Sequence, residues 1–202
     1  MSQSEFTVAE KAPAVKVPPA ALLFFQRWLA APLSMGSVFP SSIGLKRLVA
    51  KNLICGPDEV IVEFGGGTGA ITKAVLDAGI PGSKLYSIEI DTELARYLRL
   101  SHPDIHVLHG DCREADKLIG KSLIGKVGTV IVGIPMVMLP FALQKEIVEA
   151  IFRIMPAGNR FLLYTYCATS PLSLRKLGLK GERLGWTPLN LPPASVWGYT
   201  KA

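Results

Sequence analysis

The chain has 202 residues, 49% of them hydrophobic and 19% charged, with a formal net charge of +6. That length suits one well-buried domain, and the composition excludes an intrinsically disordered chain. The positive balance points to an anionic partner: nucleic acid, an acidic membrane surface or a phosphorylated substrate. Cys55, Cys112 and Cys167 are odd in number and far apart. They read as reduced thiols filling space, not as a disulfide framework or a zinc site.

Residues 1–19 are polar and Pro/Ala-rich and read as a mobile tail, without the charged-then-apolar order of a signal peptide. Residues 20–53 read as an N-terminal amphipathic helical segment with basic residues and no acidic one. Its first helix, over residues 20–31, carries Phe24, Phe25, Arg27 and Trp28 and is apolar over most of its surface. Pro32 and Pro40 bend the chain, and Ser41 or Ser42 caps a second helix running to about Asn52. The longest apolar run, Thr129 to Leu143, is broken by Gly133, Pro135 and Pro140. It falls short of the roughly 20 residues that a spanning helix needs. A cytoplasmic protein able to adhere to the inner face of the cell membrane is the expectation.

Residues 54–202 read as one domain. "EVIVEF" is a β-branched strand, followed by glycines and a helix from Gly69. "KLYSIEI", "IHVLHG", "VGTVIVGIP" and "RFLLYTY" read as further strands, with helices at "TELARYLRLS" and "PFALQKEIVEAIFRIM". Such alternation predicts a parallel sheet covered on both faces. "GLKGERLGWTPLN" and "SVWGYTKA" have no helix between them and predict an antiparallel hairpin at the sheet edge.

The glycines carry the chemistry. In "EFGGGTG", Glu63 ends the first strand, and Gly65, Gly67 and Gly69 fall two apart. A dinucleotide fingerprint spaces its glycines more widely, and a phosphate-cradling loop ends in Lys-Ser or Lys-Thr, so neither fits. Glu89 ends the second strand, where a carboxylate can accept both hydroxyls of a ribose. Asp91, two residues on, reads as a helix N-cap. Asp111 ends the third strand. The histidines His102, His106 and His109 are not spaced as ligands on one strand face, and no metal is expected.

The E-x-G-x-G-x-G order resembles the first motif of the seven-stranded S-adenosylmethionine-dependent methyltransferases. The resemblance implies an α/β, Rossmann-like seven-stranded sheet, mostly parallel with the C-terminal antiparallel hairpin, plus the N-terminal helical extension. It implies S-adenosyl-L-methionine as cofactor and S-adenosyl-L-homocysteine as product. Gly65, Gly67 and Gly69 then admit the methionine part of the cofactor, and Glu63 helps order that loop and receive that end. Asp111 accepts from the adenine amino group, and the Cys112 backbone amide meets a ring nitrogen.

Amino-methylating members of that superfamily often end the fourth strand in [NDS]-P-P-[YFW]. Here Gly133, Ile134 and Pro135 precede Met136, which leaves an apolar lip with only backbone carbonyls for polar contact. That suits a lipid better than a flipped base. "FPSSIGL", "VEFGGGTGAIT", "IEID", "GIP", "YTY" with "SPL", and "NLPPASVW" together resemble the bacterial soluble phospholipid N-methyltransferases, over about residues 20–202. That family methylates phosphatidylethanolamine stepwise, through its mono- and dimethyl forms, towards phosphatidylcholine. The N-terminal and cofactor motifs are also similar to those of the ribosomal RNA adenine dimethyltransferases. Methylation of RNA or of another small substrate is the alternative, with nucleic acid the less favoured partner.

The lipid reading gives the remaining candidates their roles. Phe24, Phe25, Trp28 and Arg27 contact a bilayer surface rich in anionic lipid. Tyr164 and Tyr166 sit beside the reacting amine, where a phenol can hydrogen-bond it or offer a ring face to the methylated cation. Arg175 and Lys176 meet the lipid phosphate. No Asp or Glu lies between Val127 and Gln144, so the lip supplies no general base.

Overall fold

The structure, a computed structural model, describes residues 42–190 and 192–202. The expected tail, the helix over residues 20–31, and Phe24, Phe25, Arg27 and Trp28 lie outside the described residues. The first described element is α1 (Ile43–Lys51), and Ser42 caps it as the sequence predicts. The Leu45 N–H donates to Ser42 Oγ at 3.2 Å.

Seven strands form one sheet: β1 (Val60–Phe64), β2 (Leu85–Glu89), β3 (His106–His109), β4 (Val127–Val132), β5 (Phe161–Thr165), β6 (Leu179–Thr187) and β7 (Ala194–Lys201). Their order is β3-β2-β1-β4-β5-β7-β6. The pairs from β3 through β5 are parallel, while β7 runs antiparallel to both β5 and β6. The predicted sheet and its edge hairpin are therefore both present. Helices α2 (Ala70–Asp77), α3 (Thr92–Ser101) and α5 (Phe141–Ile154) occupy the predicted places. Two four-residue helices, α4 (Ala115–Leu118) and α6 (Leu174–Leu177), are additions that a sequence period does not reveal.

The central strands are buried on both faces. Val62, Phe64, Val130, Val132 and Leu163 meet Ile147, Ile151 and Ile154 of α5. On the opposite face Ile61, Leu85, Ile131 and Leu162 meet Leu45 and Val49 of α1 and Ile71 and Val75 of α2. This two-sided burial is why the strands read as continuous apolar runs and not as alternations. Each fully buried aliphatic side chain contributes about 1.5–3 kcal/mol.

The chain reverses its direction of sheet growth at β1, with β2 on one side and β4 on the other. Loops leaving neighbouring strands part there in opposite directions and open a crevice at the carboxyl ends. Gly65, Glu89, Asp111 and Ile134, at the ends of four neighbouring strands, line a pocket there.

Candidate active site

The turn after β1 places backbone where a side chain would not fit. Gly65, Gly67 and Gly69 have φ of 77°, 55° and 79°, left-handed values that favour glycine. A Cβ on Gly66 would lie 2.2 Å from Ser87 Oγ, so this turn presses against β2. A Cβ on Gly67 would meet nothing within 4 Å, so that glycine serves its own backbone and leaves open space before it.

Two buried carboxylates hold the turn. Glu63 is 1% exposed, and its Oε2 accepts from Thr72 Oγ1 at 2.6 Å and Ser87 Oγ at 2.9 Å. Glu63 thus ties the first turn of α2 to β2 from beneath the loop, and it is not among the residues lining the pocket. Glu89 Oε2 accepts the Gly67 N–H at 2.9 Å, and its Oε1 accepts the Asp91 N–H at 3.0 Å. Burial raises the pKa of both groups; their hydrogen bonds oppose the shift. Asp91 caps α3 as predicted, its Oδ1 accepting from the Leu94 N–H at 2.9 Å.

A pocket lies against Gly65, Glu89, Gly110, Asp111, Cys112 and Arg113 on one side. Ile134, Leu139, Leu143 and Ile147 form its other wall. Four of the cofactor candidates therefore converge: Gly65, Glu89, Asp111 and Cys112. S-adenosylmethionine fits the residues present. Each Glu89 oxygen accepts one backbone N–H, which leaves a lone pair on each for a ribose hydroxyl. The open space at Gly67 and the glycine turn suit the polar end of the same molecule.

Arg113 is a pocket residue that the sequence reading missed. Its backbone N–H donates to Asp111 Oδ1 at 2.9 Å, and its guanidinium Nε and Nη2 donate to Oδ2 at 2.9 and 2.6 Å. Its Nη1 reaches Glu146 Oε2 of α5 at 2.6 Å. Asp111 is thereby fixed in orientation and keeps one free lone pair, on Oδ1. The Cys112 thiol is buried, which pushes its pKa far up and keeps it inert.

The acceptor side is different in kind. A Cβ on Gly133 would lie 2.5 Å from Gly65 O and 3.0 Å from the Tyr164 hydroxyl. The structure thus brings the ends of β1, β4 and β5 together at Gly133. Tyr164 is partly buried against the sheet, and burial raises its pKa. Strand pairing stops at Thr165, so Tyr166 lies beyond β5 and is 41% exposed.

The lip also uses its own carbonyls. The Met136 N–H donates to Ile134 O at 2.7 Å, and the Met138 N–H to Pro135 O at 2.9 Å. Gln144 Nε2 donates to Met136 O and Leu139 O, both at 2.9 Å. Lys176 Nζ stands 5.8 Å from the Phe141 ring centroid, which places α6 at the start of α5.

The histidines are engaged separately. His106 stacks on Tyr86 with centroids 4.3 Å apart, and His109 Nε2 lies 3.2 Å from Ile90 O. Among the described residues no cluster of His, Cys, Asp or Glu could hold a metal ion.

No protein-family model matches the chain. It is 26% identical to an ornithine lipid N-methyltransferase of Singulisphaera acidiphila, over 87% of this chain and 93% of that protein. It is 28% identical to ribosomal RNA small subunit methyltransferase A of Chlorobaculum parvum, over 50% of this chain and 37% of that one. A magnesium protoporphyrin IX methyltransferase from Synechocystis, solved with S-adenosylmethionine bound, superposes with a TM-score of 0.62. That match is 13% identical and covers 94% of this chain and 100% of that one. The chain has the fold of the S-adenosylmethionine-dependent methyltransferases.

Proposed function

We propose that the protein is an S-adenosylmethionine-dependent N-methyltransferase whose acceptor is the amine of a membrane lipid. Phosphatidylethanolamine and its mono- and dimethyl forms, on the way to phosphatidylcholine, are the substrates favoured. The observation that carries the reading is the end of β4. It offers Gly133, Ile134, Pro135 and Met136, an apolar edge without a base-stacking aromatic or an amide side chain. The full-length similarity to an ornithine lipid N-methyltransferase supports a lipid amine as the acceptor class.

The cofactor supplies an electrophilic methyl carried on a sulfonium. Glu89 accepts the ribose hydroxyls, Asp111 and the Cys112 amide receive the adenine edge, and Gly65, Gly67 and Gly69 receive the methionine part. Glu63 keeps that turn in place through Thr72 and Ser87. With the cofactor held by those residues, a neutral lipid amine seated at the end of β4 would take the methyl, and the electron pair of the broken carbon–sulfur bond would stay on sulfur. The proton leaves the ammonium before attack and passes to solvent, because the lip carries no carboxylate. Gly133, Ile134 and Pro135 define where the amine sits, and Tyr164 presents its hydroxyl beside Gly133. Tyr166, exposed just beyond β5, would offer its ring to a methylated cation. Arg175 and Lys176 meet the headgroup phosphate, and Phe24, Phe25, Arg27 and Trp28 hold the bilayer. Positioning and water exclusion are the main sources of rate. The enzyme works from the inner face of the cell membrane as a peripheral protein; no described helix is long and apolar enough to cross one.

The test is incubation of the full chain with methyl-labelled cofactor and vesicles of phosphatidylethanolamine plus an anionic lipid. Label is expected in the lipid amine, and a lipid extract free of label contradicts the reading. A second reading, methylation of adenine in RNA, draws on the similarity to the ribosomal RNA enzymes, whose length this chain spans only in part. It predicts label in RNA with no need for lipid.

A further inference from the structure

Ile134, Leu139, Leu143 and Ile147 form the apolar wall of the pocket. Val137, Met138 and Phe141 alternate along the chain with these wall residues and are 53%, 49% and 42% exposed. Single exposed apolar side chains are ordinary, whereas a cluster at the entrance of a site marks a contact surface. None of these three has a part in the chemistry above.

The segment that carries them is held in shape. Pro135 and Pro140 bracket a 3-10 turn, Met136–Met138. The two Gln144 hydrogen bonds described above fasten that turn to α5. Its apolar tips are therefore presented by a fixed turn between two prolines.

Charge identifies what they meet. Residues 133–145 and 166–181 contain no Asp or Glu; Lys145 pairs with Glu149 of α5, and Arg175, Lys176 and Lys180 carry the positive charge. Lys176 stands directly beside Phe141. Lysine is depleted from protein–protein interfaces. Its long stem does suit a bilayer surface, where the ammonium stays among headgroups while neighbouring apolar groups go deeper.

We propose that the turn over residues 135–140, together with Phe141, inserts into an anionic lipid surface and seats the pocket mouth on it. Arg175 and Lys176 then lie at the level of the lipid phosphates. A lipid amine reaches Gly133 while its acyl chains remain in the bilayer. The inference deepens the lipid reading and rests on it.

The experiment compares the full chain with a Val137→Asp/Met138→Asp double variant by co-sedimentation with vesicles of neutral lipid, with and without anionic lipid. The double variant is expected to bind anionic vesicles at least about tenfold more weakly. It should bind S-adenosylmethionine with unchanged affinity, which also reports that it has folded. Its methyl transfer to a short-chain aminolipid kept monomeric, below its critical micelle concentration, should stay at the wild-type rate. An Arg175→Glu/Lys176→Glu variant should lose the preference for anionic over neutral vesicles, which tests the same surface through charge alone. Vesicle affinity equal to wild type in both variants overturns the proposal and leaves adhesion to residues outside the turn. A double variant that instead changes oligomeric state at unchanged vesicle affinity also overturns it, making the patch an interface between copies. Absence of any methylation of that monomeric lipid by the wild-type chain refutes the lipid reading itself, and that result is independent of vesicle binding.

Discussion

At the ends of β1, β2 and β3 each carboxylate is oriented by hydrogen bonds, whereas at the ends of β4 and β5 the walls are apolar and a tyrosine hydroxyl stands beside glycine. Glu63 is held by Thr72 and Ser87, Glu89 by two backbone amides, and Asp111 by Arg113. The atoms nearest a Cβ on Gly133 would be Gly65 O, the Tyr164 hydroxyl and Phe64 O, and the carbonyls beyond it are taken up within the turn and by Gln144. A half built from fixed donors and acceptors specifies one ligand. A half built from shape and apolar surface admits a class of ligands. The first half therefore fits a defined cofactor, and under the proposed function the second would take a lipid acceptor.

The boundary between the halves is the place to break the account. Gly133→Ala puts a methyl 2.5 Å from Gly65 O, a backbone atom that cannot move without disturbing the cofactor turn. Overpacking of this kind costs about 1–3 kcal/mol. Thermal unfolding should show a lower Tm, and methyl transfer should fall by more than about 100-fold because both halves shift together. Wild-type behaviour in both assays would show that the halves are independent.

Glu89→Ala tests the fixed half alone. Hydrogen bonds to a charged group are worth about 1.5–3 kcal/mol, so calorimetry should show S-adenosylmethionine binding roughly 10- to 100-fold weaker. The pH dependence carries a sign. Burial raises the Glu89 pKa, and only the ionised carboxylate offers both oxygens as acceptors. Cofactor affinity should weaken as pH falls through that raised value, and Glu89→Gln should lose this dependence. Stability runs the other way. Glu63 and Glu89 keep protons in the fold that the unfolded chain has already released. Their contribution is fullest below the unfolded value and is lost as pH rises through the folded one. Glu63→Gln should flatten that fall in a denaturant series run across acidic pH.

Smaller effects sharpen the comparison. Asp111→Asn should weaken cofactor binding only about threefold to tenfold, because Arg113 still reaches Glu146 and can hold the loop. On the acceptor side, Tyr164→Phe should lower kcat by about tenfold with cofactor affinity unchanged. Tyr166→Phe should do less, since that ring is exposed and lies beyond the paired strand.

The two halves also differ in how they could be read from the sequence. Positive φ at Gly65, Gly67 and Gly69 leaves glycine as the natural residue, and strand ends with carboxylates leave Glu89 and Asp111 in view. The sheet itself was legible because buried parallel strands are continuous β-branched runs. Arg113 was not, since its second partner Glu146 comes from a helix 33 residues away. Thr72 and Ser87 were hidden for the same reason, each taking meaning only from Glu63 across the fold. The inward turn of the lip carbonyls depends on Gln144, and the end of β5 at Thr165 depends on where β7 stops pairing. Val137, Met138 and Phe141 read as ordinary apolar residues until their exposure at the pocket mouth is known.

The most direct test places both acceptors in one tube. The full chain is given methyl-labelled S-adenosylmethionine, mixed micelles of phosphatidylethanolamine with an anionic lipid, and total RNA, and the products are separated by extraction. Label should accumulate on the lipid amine, with RNA left unlabelled. Label in RNA with none in the lipid would contradict the account.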